Sequence, residues 1–249
     1  MVHCGAHCIN LVSQQTVESV QLARDSLHCL QELGCLFSQS IKCRTTFSNI
    51  IQSENPLQKV HQIKPLCPTR WLVRVKGLLS LLTQYASVLE CLEEMSCDKV
   101  SSSTVAARAS GLYASLQKGT VLFGFKMALK ILAPLENLNR SLQSTYQTVS
   151  GMLAAVDDVV EELVSYRSDA AFDALLQECS DFIQKLELEP IAVPRLRKLP
   201  KKYDANTDVC SSNMYRTLPT RLFHAIRYCN RESATSFWRE CWALFLQST

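Results

Sequence analysis

Three stretches of this chain gather residue types that do chemistry. In His3-Cys4-Gly5-Ala6-His7-Cys8, Cys4 and His7 have half of a zinc-site spacing. A structural zinc needs four nitrogen or sulfur ligands, and no second close Cys/His pair follows at a finger-like distance. His28, Cys29 and Cys35 would have to reach such a site from other helical faces, so ligand counting favours a packing cluster at a helix start, with no metal or other cofactor. Thr69-Arg70-Trp71 joins an aromatic ring to a cation, with Arg74 and Lys76 close behind. Cations in that arrangement suit phosphates, and the ring suits either a base or a protein core. The run from Arg195 to Lys202, with Arg195, Arg197, Lys198, Lys201 and Lys202, reads as a nuclear-import or nucleic-acid patch, or as an ordinary basic linker.

Other chemistries find less in the sequence. Asp157, Asp158, Glu161 and Glu162 resemble a carboxylate cluster, yet their spacing sets them opposite an apolar stripe, as the solvated side of a helix. Cysteine nucleophiles need a contacting histidine and a lowered thiol pKa, which sequence adjacency does not supply. The seven scattered glycines form no phosphate-cradling loop. No small-molecule substrate is expected.

The segment from Cys4 through His7 and Asn10 to Leu11 resembles the Cys-x-x-His-x-x-Asn-Leu landmark of the hAT family of DNA transposases, and Thr69-Arg70-Trp71 resembles its Thr-Arg-Trp landmark. The run from Ile131 to Gln143, and the amphipathic stretch ending at Tyr166 to Asp169, are similar to that family's helical insertion. The likeness covers roughly residues 2–200 and extends to the transposase-derived regions of MYM-type zinc finger proteins. It implies an RNase H-like fold in which three carboxylates hold two divalent metals. Two of those carboxylates are aspartates that precede the Cys-x-x-His segment, and these 249 residues hold no counterpart of either. For the third, a late glutamate, the candidates are Glu232 and Glu240. A single carboxylate does not build a two-metal cage, so no DNA cleavage is expected.

The same resemblance gives Trp71 a role in stacking on a base swung out of the duplex, and places Arg70, Arg74 and Lys76 near phosphates. Cys4, His7, Asn10 and Thr69 take structural roles. In the family, the segment from Cys4 to Val12 packs on a β-sheet whose leading strands have no counterpart here. Ile9, Leu11 and Val12 are therefore expected to lack a partner within the monomer. The aromatic stripe of Phe237, Trp238, Trp242 and Phe245 invites the same expectation, and with it self-association or a protein partner.

Composition bounds the setting. At 249 residues and 47% hydrophobic content the chain can bury a sizeable core, and few glycines and prolines point to helices. No apolar run is long enough to span a bilayer, the start Met1-Val2-His3-Cys4 lacks the features of a signal peptide, and no membrane partner is expected. Most of the twelve cysteines, in apolar helical settings, read as reduced core residues of a cytosolic or nuclear protein, and a nuclear location is expected. Charge is uneven beneath a net +3: residues 1–76 carry eight Lys/Arg against four Asp/Glu, 77–190 eight against fifteen, and 191–231 nine against two. That excludes a uniformly basic surface and leaves two basic segments.

Hydrophobic periodicity predicts helices over about 6–39 with one break, a short continuation at Ser48 to Gln52, and a stop at Asn55-Pro56. An extended connector or short strand at Val60 to Cys67 is followed by one helix from Arg70 to about Met95. Ser101 to Thr104 cap the next helix, which ends near Gly119, and Thr120 to Ala133 form another, stopped by Pro134. The strongest period runs from Val149 to Val164, and Ser168-Asp169 open a helix reaching about Leu186. The expectation is a mainly α chain: a remnant of an RNase H-like domain at 1–76 with most of its sheet missing, a helical insertion at 77–189, and a basic linker with a divergent tail at 190–249. Its expected function is non-catalytic binding, with weak and non-specific DNA contact, or a protein-interaction scaffold without nucleic-acid affinity. A third reading is a fragment of a longer product with no activity of its own.

Overall fold

The computed structural model describes residues 9–11, 13–14, 17–18, 20–54, 60–67, 74–98, 103–143, 148–166 and 168–192. Helical turns at Ile9 to Leu11, Ser13-Gln14 and Val17-Glu18 lead into α1 (Gln21–Gln39). There follow α2 (Ile41–Glu54), α3 (Arg74–Thr83), α4 (Tyr85–Cys97), α5 (Ser103–Leu116), α6 (Gly119–Leu142), α7 (Val149–Ser165) and α8 (Asp169–Lys185). The fold is mainly α. Among the described residues there is no strand, and one isolated parallel bridge pairs Lys118 with Glu189.

The expected break before α1 falls at Val20, whose extended backbone forms the helix start. Along α1, Ala23, Leu27, Leu30, Leu33 and Phe37 recur at three- and four-residue intervals and are buried, which is the apolar stripe that sequence spacing implies. α1 crosses α6 so closely that a Cβ on Gly124 would lie 2.0 Å from Ser26 Oγ. Glycine permits that approach. Phe37 and Phe47 join α1 to α2 edge to face, at 5.1 Å between ring centroids.

Three helix boundaries differ from the periodicity. The single helix expected from Arg70 to Met95 is interrupted at Gln84, where the backbone turns (φ −119°, ψ 28°) between α3 and α4. The short continuation expected at Ser48 to Gln52 is the 14-residue α2. Pro134 does not stop its helix: α6 continues to Leu142 with the proline buried inside it. An internal proline forfeits one backbone hydrogen bond, at about 3 kcal/mol. Burial of Ile131, Leu132, Leu135 and Leu138 around it is the compensating term, since each apolar side chain contributes roughly 1.5–3 kcal/mol when taken out of water.

Side chains from Val17 to Leu188 form one contiguous core. α3 crosses the boundary expected at 76 and 77, and residues on both sides of it share that core. A second, smaller cluster joins Ile9 to Leu135 and Leu138 of α6 and Leu163 of α7. Ile9 was expected to lack a partner within the monomer, and it is instead fully buried in this cluster. Leu11 is 43% exposed, and Val12 lies outside the described residues. The Ser168 cap falls where the sequence puts it, Ser168 Oγ accepting from the Ala171 N–H at 3.2 Å, and Thr148, which the periodicity does not single out, caps α7 by accepting at Oγ1 from the Gly151 N–H at 3.2 Å. Among the described residues no helix is long and apolar enough to cross a membrane.

Candidate nucleic-acid interface

The segment leading to Thr69-Arg70-Trp71 is the irregular connector from Val60 to Cys67, and the structure shows what fixes it. Ile63 and Leu66 are buried anchors, while Lys64 and Pro65 between them face solvent. Two helices receive the connector at glycines. A Cβ on Gly34 of α1 would come within 2.5 Å of the Lys64 carbonyl oxygen, and one on Gly77 of α3 within 3.3 Å of the Leu66 side chain. Two glutamines complete the attachment. Gln31 Oε1 accepts from the Leu66 N–H. Gln84 Nε2 donates to the His61 carbonyl at 2.9 Å, and Gln84 Oε1 accepts from the His61 N–H at 3.1 Å.

Connector and α3 together set out the cations. Lys64 and Lys76 are exposed, on two segments that the Leu66–Gly77 contact holds side by side. Arg74 is arranged differently from the expectation for a phosphate ligand: it is half-buried, and burial lowers its guanidinium to about 10, with Glu18 and then Cys67 acting in the opposite direction. A base lowered only to about 10 stays charged at neutral pH. Spacing alone groups Arg74 with Lys76 and gives no sign of the exposed Lys64. The neighbouring buried Val75 carries the signal, because α3 turns its apolar side inward at that point.

Several sequence candidates fall outside the described residues: Cys4, His7, Thr69, Arg70, Trp71, Arg195, Arg197, Lys198, Lys201 and Lys202, together with Glu232, Glu240 and the stripe from Phe237 to Phe245. Asn10 is helical and half-buried.

A cleft of about 340 Å³ between α1 and α5 is lined by Asp25, His28, Cys29, Glu32 and Arg108. Arg108 bridges its two walls, donating to Gln39 Oε1 at 2.8 Å and pairing with Glu32 at 3.5 Å. Burial, and next Glu32, push the Cys29 thiol up to about 11, and burial foremost pushes Cys91 and Cys179 to about 12. Such thiols remain protonated at neutral pH, the opposite of an activated nucleophile. Among the described residues no three His, Cys, Asp or Glu side chains gather to hold a metal ion. Asp157, Asp158, Glu161 and Glu162 are all exposed on α7, as expected of its solvated side. No protein-family model matches the chain, and no solved structure matches it.

Proposed function

We propose that this chain is a non-catalytic binding module of the nucleus, related to hAT transposases, that holds duplex DNA weakly and without sequence preference along the edge formed by the connector and α3. The family reading rests on the residue match at Cys4, His7, Asn10 and Thr69-Arg70-Trp71. The observation that carries the DNA reading is the pair Lys64 and Lys76, exposed on either side of the Thr69-Arg70-Trp71 segment. Cations presented to solvent release counterions when they meet phosphates, which makes affinity dependent on salt and indifferent to sequence. Trp71 adds a stacking face, and the basic run from Arg195 to Lys202 a second electrostatic contact. The origin of residues 1–76 as a remnant of an RNase H-like domain, and of the helices from 77 to 189 as its helical insertion, belongs to the same proposal.

A salt titration with duplex DNA tests the reading. Affinity falls steeply with salt, and Lys64→Glu/Lys76→Glu lowers the log–log salt slope by about two, one phosphate contact for each residue. Binding that survives high salt, or a slope unchanged in the double variant, rejects the interface. With Mg²⁺ or Mn²⁺ present the DNA stays intact, and nicking abolished at Glu232 or Glu240 would restore a catalytic reading. A protein-interaction scaffold is the second reading, favoured by the exposed Leu11, Leu153 and Val164.

A further inference from the structure

α7 has more apolar surface than its neighbours cover. Its principal helical contact is α6, and the side turned there carries Val156, Val159 and the buried Leu163 of the small second core. Leu153, Val160 and Val164 follow one another at seven- and four-residue intervals, so they share a flank of the helix beside that core-facing side. Leu153 is 42% and Val164 43% exposed, and Val160 is half-buried. Asp157 and Glu161 border this flank, with Asp158 and Glu162 beyond them, and the helix contains no Lys or Arg.

Apolar residues at helical spacing, rimmed along one edge by charge of one sign, match a helix-in-groove or helix-on-helix partner. The sign decides which partner. A second copy in antiparallel pairing would set these carboxylates against the same carboxylates, and like charges facing each other disfavour that complex. We propose that the open flank of α7 docks a basic amphipathic helix of another protein, whose apolar residues cover Leu153, Val160 and Val164 while its Lys or Arg side chains meet Asp157 and Glu161. This gives the scaffold reading a partner chemistry, and it does not depend on DNA contact at Lys64 and Lys76.

The test uses the full chain and two labelled synthetic helical peptides with the same leucine face, one bordered by lysines and the other by glutamates, followed by fluorescence anisotropy. The lysine peptide binds, and the glutamate peptide binds at least tenfold more weakly. Asp157→Asn/Glu161→Gln and Leu153→Asn/Val164→Asn each weaken the lysine peptide about tenfold. All four positions are exposed, and circular dichroism melts check that the variants keep the fold. Equal binding of the two peptides, no binding of either, or variants that bind like the parent overturn the proposal. So does light scattering that shows a dimer broken by Leu153→Asn, because the flank would then belong to a second copy. Each variant is also titrated with duplex DNA, so that loss of peptide binding with DNA affinity intact separates this site from the connector edge.

Discussion

Gln84 donates through Nε2 to the carbonyls of His61 and Ser80 and accepts the His61 N–H through Oε1, while being only 2% exposed. Its amide satisfies both backbone groups of one connector residue, and the turn between α3 and α4 is where it can reach them. Truncation to alanine leaves those groups short of partners, which costs about 1–3 kcal/mol for each buried group left unsatisfied. His61 is itself exposed and can recover part of its bonding from water. Gln84→Ala is therefore expected to lower stability by about 2 kcal/mol in a urea titration, near the middle of that range. A loss under about 0.5 kcal/mol, the size of an ordinary surface change, would mean that the connector is held by Ile63 and Leu66 alone.

At the scale of elements, the sequence marks where helices begin better than where they bend. Ser168 announces α8 because a hydroxyl before an apolar period has one local use, the free N–H groups of the first turn. Gln84 and Pro134 mislead because tertiary contacts decide both. A glutamine in an apolar run gives no sign that it will reach His61, and a proline reads as a stop unless the buried residues around it are known. Along the proposed DNA edge, Lys76 is legible in the sequence and Lys64 is not, since the exposure of Lys64 depends on Ile63 and Leu66 turning inward on either side. The glycines offer a test with opposite signs. A Cβ on Gly34 would lie 2.5–2.6 Å from the Lys64 and Pro65 backbone, so Gly34→Ala forces the connector away, at about 1–3 kcal/mol. Gly111, in the middle of α5, has nothing within 4 Å of its Cβ position, so Gly111→Ala gains helix propensity of about 1 kcal/mol. Thermal melts that move in the same direction for both variants would contradict this account.

On the scale of the whole molecule, one core spans elements from Val17 to Leu188, and buried thiols and a buried phenol are built into it. Tyr85 donates from Oη to the Leu116 carbonyl at 2.7 Å and meets the Phe182 ring edge to face, joining α4, α5 and α8. Burial raises its phenol, as it raises Cys29 to about 11 and Cys91 and Cys179 to about 12. An acid whose folded pKa lies above its unfolded value holds its proton longer in the native state. Between the unfolded thiol value near 9 and the folded values, the folded chain therefore binds more protons than the unfolded one, and stability falls as pH rises. Below pH 9 these groups contribute no slope. Arg74 acts in the opposite direction, because a base lowered to about 10 favours folding as pH rises beyond that value, but it stands against three thiols and a phenol. The melting temperature is expected to hold from pH 7 to 9 and then decline steadily to pH 11, in a single transition because the core is shared. Replacing Cys91 with valine, which has no proton to lose, makes that decline shallower. A flat profile to pH 11, or an unchanged slope in Cys91→Val, would show that the thiols reach water more readily than their burial implies.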